Sequence, residues 1–252
     1  MNRYFIYLAY NGTRFCGWQN QPNGISVQCC IEDVLSKVMR QNTPVVGAGR
    51  TDAGVHARMM TAHFDAPEEI ADTSLLTGKL NNMLSKDIAI NRIVRTTDEA
   101  HARFDALSRT YNYIVTDKKD PFDYEYVCRM PLHNINFDAM NEACKFLFRF
   151  SDFTSFSKLH TDVKTNNCRI DEARWENVNG LWVFTIRADR FLRNMVRAIV
   201  GTLFDVGRGK ITPDDFMNII EAKDRSRAGT SAPAEGLALT DIEYPDNIFP
   251  LR

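Results

Sequence analysis

Apolar residues alternate with polar ones in some stretches of the chain and recur at three- and four-residue steps in others, so the pattern predicts both strands and helices. The predicted strands cover residues 3–10, 43–47, 55–64, 87–94, 101–117, 169–178, 181–189 and 236–244. The predicted helices cover residues 27–39, 73–84, 136–150, 190–206 and 212–224. Because closely spaced strands are interspersed with helices, the predicted fold class is α+β, with antiparallel or mixed sheets flanked by helices.

Three local signals mark where predicted elements begin and end. Ser26 is a favourable N-cap for the first helix, and Thr212 followed by Pro213 is typical of the start of the last one. Asn179 and Gly180 form the dipeptide of a tight hairpin turn between two predicted strands.

Length and composition are those of an ordinary soluble globular protein. The 252 residues are 44% hydrophobic and 25% charged, and a chain of this size buries about three quarters of its surface on folding. We expect two subdomains that meet near residues 105–110, the first covering residues 1–106 and the second residues 107–252.

Net charge and cysteine spacing limit the classes of partner. The formal net charge is −1, so a nucleic-acid partner would have to be held by local basic patches. The six cysteines show no CxxC pair or metal-type spacing, so no metal site is predicted. The opening residues, MNRYFIYLAY, are too short to span a membrane and lack a signal-peptide pattern, so we expect a cytoplasmic protein without a membrane partner.

Residues 47–57, GAGRTDAGVHA, form a glycine-rich stretch that two common phosphate-binding motifs do not explain. Gly49 and Gly54 have the spacing of a nucleotide-binding P-loop, but Val55 and His56 stand where lysine and a hydroxyl residue are needed. A dinucleotide motif would need a third glycine and a following helix, whereas a strand is predicted here.

Two explanations of this stretch remain. Asp52 could bond to its own backbone in a turn, with the glycines supplying positive φ. Alternatively, small neighbours leave room for a bulky substrate to approach an Asp52 carboxylate that Arg50 or another arginine keeps ionised. Such a carboxylate can act as a covalent nucleophile at a sugar or an electrophilic ring.

Arginines recur through the rest of the chain. Arg190, Arg193 and Arg197 share one face of the helix predicted over residues 190–206, and no acidic residue lies between 190 and 204. A solvated helix face is the usual explanation of such a pattern, but it would normally mix both signs of charge. Further arginines suited to phosphate contacts are Arg103, Arg109, Arg187, Arg225 and Arg227. Tyr111 follows on a strand, where its ring could stack on a base or pack in the core.

Several motifs together resemble the bacterial tRNA pseudouridine synthase A family. They are CGWQ, SVQ at the first helix, GAGRTDAGVHA, HARFDALSRTYNY, DFTSFS, FLRNMVRAIVGTL and SAPAEGL. They follow the family order from about residue 10 to residue 244, which is nearly the whole chain. The resemblance implies isomerisation of uridine to pseudouridine at positions 38, 39 and 40 of the tRNA anticodon stem-loop. It also implies a cofactor-free homodimer whose subunit has two similar halves with the active cleft between them.

The resemblance also implies roles for individual residues. Asp52 is the nucleophile, and Arg197 in MVRAIVG pairs with its carboxylate. Tyr111 stacks on the target base, Leu237 packs beside it, and Arg50 helps to flip the uridine out of the RNA. Further RNA contacts are expected from Arg58, Arg103, Arg109, Arg190 and Arg193. Arg193 and Asn194 stand where members often carry aromatic or histidine residues, which leaves the choice of RNA target open.

Three alternatives stay open at this point. The chain could be a non-catalytic RNA-binding homologue, although such a protein has no need for an aspartate facing phosphates. It could be a pseudouridine synthase with a different RNA target, because the same carboxylate serves every enzyme of this chemistry. It could also act on a small nucleoside or sugar phosphate, for which the arginine-bearing surface is not required.

Overall fold

A computed structural model describes residues 1–22, 24–158 and 165–250, and within these the chain has nine strands and five α-helices. The strands are β1 (Asn2–Tyr10), β2 (Val46–Gly47), β3 (His56–Ala66), β4 (Ile88–Arg95), β5 (Ser108–Thr116), β6 (Cys128–Arg129), β7 (Ile170–Val178), β8 (Leu181–Ala188) and β9 (Leu237–Glu243). The helices are α1 (Val27–Met39), α2 (Thr73–Met83), α3 (Phe137–Leu147), α4 (Met195–Gly207) and α5 (Pro213–Ala222). The predicted α+β class is confirmed.

The chain forms two compact units, Met1–Leu107 with Leu239–Arg252, and Ser108–Ala238. This grouping differs from the expected ranges in the final strand, which was assigned to the second subdomain. The Leu107 N–H donates to the Glu243 carbonyl at 2.8 Å, and the Tyr244 hydroxyl donates to the Ala102 carbonyl. These bonds attach Glu243 and Tyr244 to the first unit. The division into subdomains at residues 106 and 107 stays a prediction.

The first unit is built around β1, which pairs antiparallel with β3 on one side and β4 on the other. The short β2 extends the pairing of β3 next to the glycine-rich stretch. β1 carries an unbroken run of buried side chains from Tyr4 to Leu8, so it forms the centre of this core. α1 begins where predicted, since the Ser26 Oγ accepts the Cys29 N–H at 3.0 Å.

In the second unit, β8 pairs antiparallel with both β5 and β7. The turn between β7 and β8 is the predicted hairpin, with Asn179 and Gly180 both at positive φ (53° and 85°). α3 packs on β7 and against α4 and α5. α5 begins with the predicted Thr212 cap, which forms a reciprocal capping box with Asp215.

The helix predicted over residues 190–206 is shorter than expected, because α4 begins at Met195. Asn194 adopts a left-handed conformation (φ 65°), which is incompatible with a continuous right-handed helix. The Asp189 carboxylate also accepts the backbone N–H of Arg190 at 2.7 Å, so that segment turns at the end of β8. The prediction that Arg190, Arg193 and Arg197 share one helix face is therefore wrong, and only Arg197 lies on α4.

The strand predicted over residues 101–117 is also shorter, because β5 begins at Ser108. Residues 101–107 form a turn closed by a hydrogen bond from the Asp105 N–H to the His101 carbonyl at 3.0 Å. Among the described residues, no helix is both long and apolar enough to cross a membrane.

Candidate active site

The loop between β2 and β3 carries Asp52, and a segment that precedes α1 holds its backbone in place. The Trp18 N–H donates to the Thr51 carbonyl at 3.2 Å, and the Gly54 N–H donates to the Phe15 carbonyl at 3.4 Å. The buried Tyr10 hydroxyl lies 2.8 Å from the Thr51 hydroxyl, in hydrogen-bond contact. Residues on both sides of Asp52 are thus bound to the same segment.

Close backbone approach explains two glycines of that segment. Gly17 has φ 88°, and a Cβ there would overlap the Thr51 carbonyl oxygen and lie 3.1 Å from the Asp52 carbonyl carbon. A Cβ at Gly12 would overlap the Val55 carbonyl oxygen. Glycine is required where two backbones come this close, so these positions set how the loop sits.

The same segment is attached to the start of α1. The N–H groups of Val27 and Gln28 donate to the carbonyls of Gly17 and Trp18 at 3.2 and 3.1 Å. The first N–H groups of a helix have no partner within the helix, and here two carbonyls of the segment accept two of them. The Trp18 ring is 1% exposed and leaves no space for a Cβ at Gly47, which would lie 2.5 Å from the ring. The motifs CGWQ, SVQ and GAGRTDAGVHA therefore pack as one body.

Asp52 lies at the first position of a tight turn, as one of the two explanations required. The Val55 N–H donates to the Asp52 carbonyl at 3.1 Å, and Gly54 adopts φ 76°. Thr51 and Val55 are buried, whereas Asp52 is partly exposed. Main-chain hydrogen bonds fix the backbone of the turn and leave the aspartate partly exposed, so a turn and a reactive carboxylate are compatible.

The first unit carries three of the arginines that were predicted to act on RNA, and all three are exposed. Arg50 and Arg58 are exposed, on the loop and on β3 respectively. Arg103 is exposed in the turn over residues 101–107, with its guanidinium carbon 5.9 Å from the centre of the Phe104 ring.

Arg197 occupies an unusual position in the second unit. In α4, whose residues are all described, eleven of the 13 are buried and Arg197 and Asp205 are the two that are half-exposed. The Arg197 Nε donates to the Ala232 carbonyl at 2.7 Å, and the Ala232 N–H donates to the Arg197 carbonyl at 2.9 Å. A guanidinium on an otherwise buried helix is thus held in one orientation by a main-chain acceptor.

The SAPAEGL segment runs from this contact to β9. The Asn194 amide donates to the Ser231 hydroxyl at 2.6 Å at its start, and the Ile114 N–H donates to the Gly236 carbonyl at 2.9 Å near its end. A Cβ at Gly236 would lie 2.8 Å from the Tyr113 ring, so the segment lies against the strand that carries Tyr111. Leu237, the next residue, is 4% exposed.

Tyr111 differs from the other aromatic residue on its strand. Tyr113 is fully buried, while Tyr111 is half-buried and its ring meets the Phe191 ring edge to face at 5.2 Å. Phe191 lies in the segment before α4. The pattern of residues did not indicate this partner, because the segment was predicted to be helical.

The remaining predicted arginines surround the end of β8. The Arg109 guanidinium donates to the Asp189 carbonyl at 2.7 Å. Arg190 is half-buried, and the exposed Arg193 accepts the Lys158 N–H with its carbonyl at 3.1 Å.

The predicted residues fall into two groups, one in each unit. Asp52, Arg50, Arg58 and Arg103 belong to the first unit. The members in the second unit are Arg109, Tyr111, Arg190, Arg193, Arg197 and Leu237. Within the described part of the chain, no three histidine, cysteine, aspartate or glutamate side chains are grouped so that they could hold a metal ion.

Comparison with known proteins gives matches over nearly the whole length. A family model described as tRNA pseudouridine synthase matches residues 6–105 and 150–245. A protein of Parabacteroides distasonis named tRNA pseudouridine synthase A is 63% identical over 252 residues, covering 100% of both chains. Proteins of the same name from Porphyromonas gingivalis and Bacteroides fragilis are 58% and 57% identical, each over 99% of this chain and over 100% and 99% of their own lengths.

Proposed function

The chain belongs to the tRNA pseudouridine synthase A family, and from this we propose that it isomerises uridine to pseudouridine in tRNA. The observation that carries the proposal is the match over both halves of the chain, which includes the Asp52 loop and the Arg197 helix. The intact Asp52, Tyr111 and Arg197 favour an enzyme over a homologue that only binds RNA.

The reaction changes one bond between the base and its ribose. The bond from N1 of uracil to C1′ breaks, the base turns, and C5 forms a new bond to C1′. C5 then loses a proton and N1 gains one, so nothing is oxidised and no group is imported. A carboxylate can start this by attacking C1′ or by promoting elimination toward a glycal, and both routes need an ionised Asp52.

We assign Asp52 as the nucleophile. Its backbone is fixed on both sides by hydrogen bonds to the segment before α1, and the residue is partly exposed. Precise placement of a reacting group contributes several kcal/mol to catalysis, so a rigid turn with small neighbours suits the role.

The other roles follow from the chemistry of each side chain. Arg197 supplies a guanidinium, which can pair with a carboxylate through two parallel hydrogen bonds. Tyr111 offers a partly exposed ring for stacking, and Leu237 an apolar contact beside the base. Arg50 is exposed on the catalytic loop, where it can replace the flipped uridine in the RNA.

The target belongs to the proposal as well. We propose positions 38, 39 and 40 of the anticodon stem-loop and a homodimeric enzyme, because the family resemblance implies both. We also propose the cytoplasmic location that the sequence led us to expect. RNA contacts from Arg58, Arg103, Arg109, Arg190 and Arg193 would supply the local positive charge that a net charge of −1 does not.

The decisive experiment uses an unmodified tRNA transcript with uridines through the anticodon arm. Purified protein and its Asp52→Asn variant are incubated with it, and carbodiimide labelling with primer extension maps each pseudouridine. We expect stops on the 3′ side of the anticodon arm with the wild type and none with the variant. The variant should keep tRNA affinity, because asparagine has the same size and the turn is held by main-chain bonds.

Other results would change the proposal in defined ways. Stops elsewhere in the tRNA would retain the reaction and replace the target. Wild-type turnover by Asp52→Asn would remove Asp52 from the mechanism. Tight binding without any stops would favour the RNA-binding homologue.

A further inference from the structure

Phe104 is an exposed aromatic ring on a rigidly held turn of the first unit. Its side chain is 75% exposed, and the neighbouring Leu107 is 50% exposed. The His101 N–H donates to the Asp105 carboxylate at 2.7 Å, and the N–H groups of Arg103 and Phe104 approach the His101 Nδ1 at 3.1 and 3.3 Å. A ring displayed on a turn with this many local bonds loses little further freedom on binding a ligand.

A second anchor connects this turn to the core. The Ala102 N–H donates to the Nδ1 of His63 on β3 at 3.1 Å, and the Tyr244 hydroxyl donates to the Ala102 carbonyl. Burial, the Arg3 guanidinium and His101 lower the pKa of His63 to about 4. His63 is therefore neutral near pH 7, and its Nδ1 stays available as the acceptor that the turn requires.

Aromatic rings form a continuous column from the core to Phe104. Phe5 stacks on His63 with ring centres 6.3 Å apart, and His63 meets His101 at 4.6 Å. His101 in turn lies 4.2 Å from Phe104 at an interplanar angle of 32°. One side of the Phe104 ring is thus supported by the column, while most of the side chain faces solvent.

The arginine next to the ring can contact an anionic backbone, while Glu99 and Asp105 also line the surface around Phe104. The Arg103 guanidinium lies over the Phe104 ring, with its central carbon 5.9 Å from the ring centre, so this side chain has to move aside if a base stacks on that face. Asp105 is the nearest acidic neighbour in sequence, and its carboxylate accepts the His101 N–H. An aromatic face next to an arginine is the combination that proteins use for unpaired bases and their phosphates.

We propose that Phe104 is a stacking platform for an unpaired base of the tRNA, and that Arg103 contacts a phosphate next to that base. The ligand class is single-stranded RNA, and the base would be the next member of the column formed by Phe5, His63 and His101. This inference rests on the proposed function for its RNA, but it concerns binding and not the reaction at Asp52.

The test measures tRNA affinity by filter binding at several salt concentrations. Phe104→Ala should weaken binding by about 5- to 150-fold, the usual effect of losing one stacked base. The slope of log affinity against log salt should not change, because stacking releases no counterions. Arg103→Gln should instead reduce that slope by about one phosphate contact.

Conservative variants separate stacking from simple apolar contact. Phe104→Trp should bind tRNA as well as the wild type, whereas Phe104→Leu should bind more weakly because it lacks a π face. Phe122→Ala is the matched control, since Phe122 is 87% exposed and lies between Asp120 and Asp123. Its affinity for tRNA should be that of the wild type.

Several outcomes would overturn the platform. Unchanged affinity of Phe104→Ala would do so, as would equal affinity of Phe104→Leu and the wild type. A change in self-association on ultracentrifugation, without a change in tRNA affinity, would assign the ring to contact with a second copy of the chain. Pseudouridine formation measured on the same samples keeps the two proposals apart. If the wild type forms pseudouridine and the Phe104 variants bind tRNA like the wild type, only the platform is rejected. If the wild type forms no pseudouridine and the Phe104 variants show the expected changes in tRNA affinity, only the proposed reaction is rejected.

Discussion

Replacing Gly17 with alanine should displace the Asp52 loop while the rest of the first unit stays folded. Gly17 lies in the segment before α1, and its Cα faces the backbone of Thr51 and Asp52. An added Cβ would overlap the Thr51 carbonyl oxygen and come within 3.2 Å of the Ala53 nitrogen. All of these are main-chain atoms, so the overlap can be relieved only by moving the loop or the segment.

The size of the effect follows from two separate terms. Alanine at φ 88° costs about 1–2 kcal/mol, because its Cβ approaches the next carbonyl in left-handed backbone. The overlap requires a shift of roughly 1 Å in the main chain at Thr51, and a misplacement of that size in a reacting group lowers turnover about 100-fold. We therefore expect a modest loss of stability and a large loss of turnover.

Gly209 provides a control that isolates the first term. It has φ 69°, and apart from its neighbours in the chain no atom lies within 4 Å of a Cβ built on it. In urea unfolding, Gly209→Ala should lower the free energy of unfolding by about 1–2 kcal/mol. In single-turnover assays it should form pseudouridine at the wild-type rate. If Gly17→Ala loses stability like the control and keeps wild-type turnover, the segment before α1 does not position Asp52 for the reaction.

Two further predictions concern pH and salt. An unfolded histidine titrates near pH 6.5 and His63 in the folded chain at about 4, so the unfolded state takes up a proton first as the pH falls. Through this residue, the free energy of unfolding should therefore drop by about 2 kcal/mol between pH 7 and pH 5. Urea unfolding of His63→Gln at the two pH values should lack this part of the decrease. Arg190→Ala and Arg193→Ala should each lower the salt dependence of tRNA binding, whereas the exposed Lys37→Ala on α1 should not. If the slope of log affinity against log salt is the same for all three variants, Arg190 and Arg193 do not contact phosphates.

Local signals in the sequence predicted most elements because each depends on a few neighbouring residues. Ser26 and Thr212 cap their helices as expected, and the Asn179–Gly180 turn joins two strands in register. Such features are decided by hydrogen bonds within a turn and by φ preferences, which the sequence shows directly.

The start of α4 could not be predicted in this way. Apolar residues recur at helical steps from Phe191 onward, so the periodicity alone extends the helix over residues that are not helical. What ends that pattern is the left-handed Asn194, together with the Asp189 carboxylate, which accepts the N–H groups of Arg169 and Arg190. The bond to Arg169 joins residues 20 positions apart, and no local pattern shows a contact of that kind.

In the candidate site, too, some features could be predicted from the sequence and others depend on contacts between distant residues. The small residues around Asp52 are visible in the sequence, and they led to both the turn and the nucleophile as explanations. The reason why the turn is rigid lies in Gly12, Gly17 and Trp18, about 35 to 40 residues earlier in the chain. Their importance depends on a close approach between two backbones, and the sequence gives no measure of that distance.

The contacts of Arg197 decide which variant reports on the chemistry. Its Nε holds the Ala232 carbonyl at 2.7 Å, at the start of the segment that leads to Leu237. Removing the guanidinium would therefore disturb that segment as well as any partner carboxylate, and lost turnover would have two explanations. At Asp52, the hydrogen bonds that hold the turn join main-chain atoms, so a change to asparagine leaves them in place. Loss of turnover with retained tRNA affinity in Asp52→Asn would consequently identify the carboxylate itself as the group that reacts.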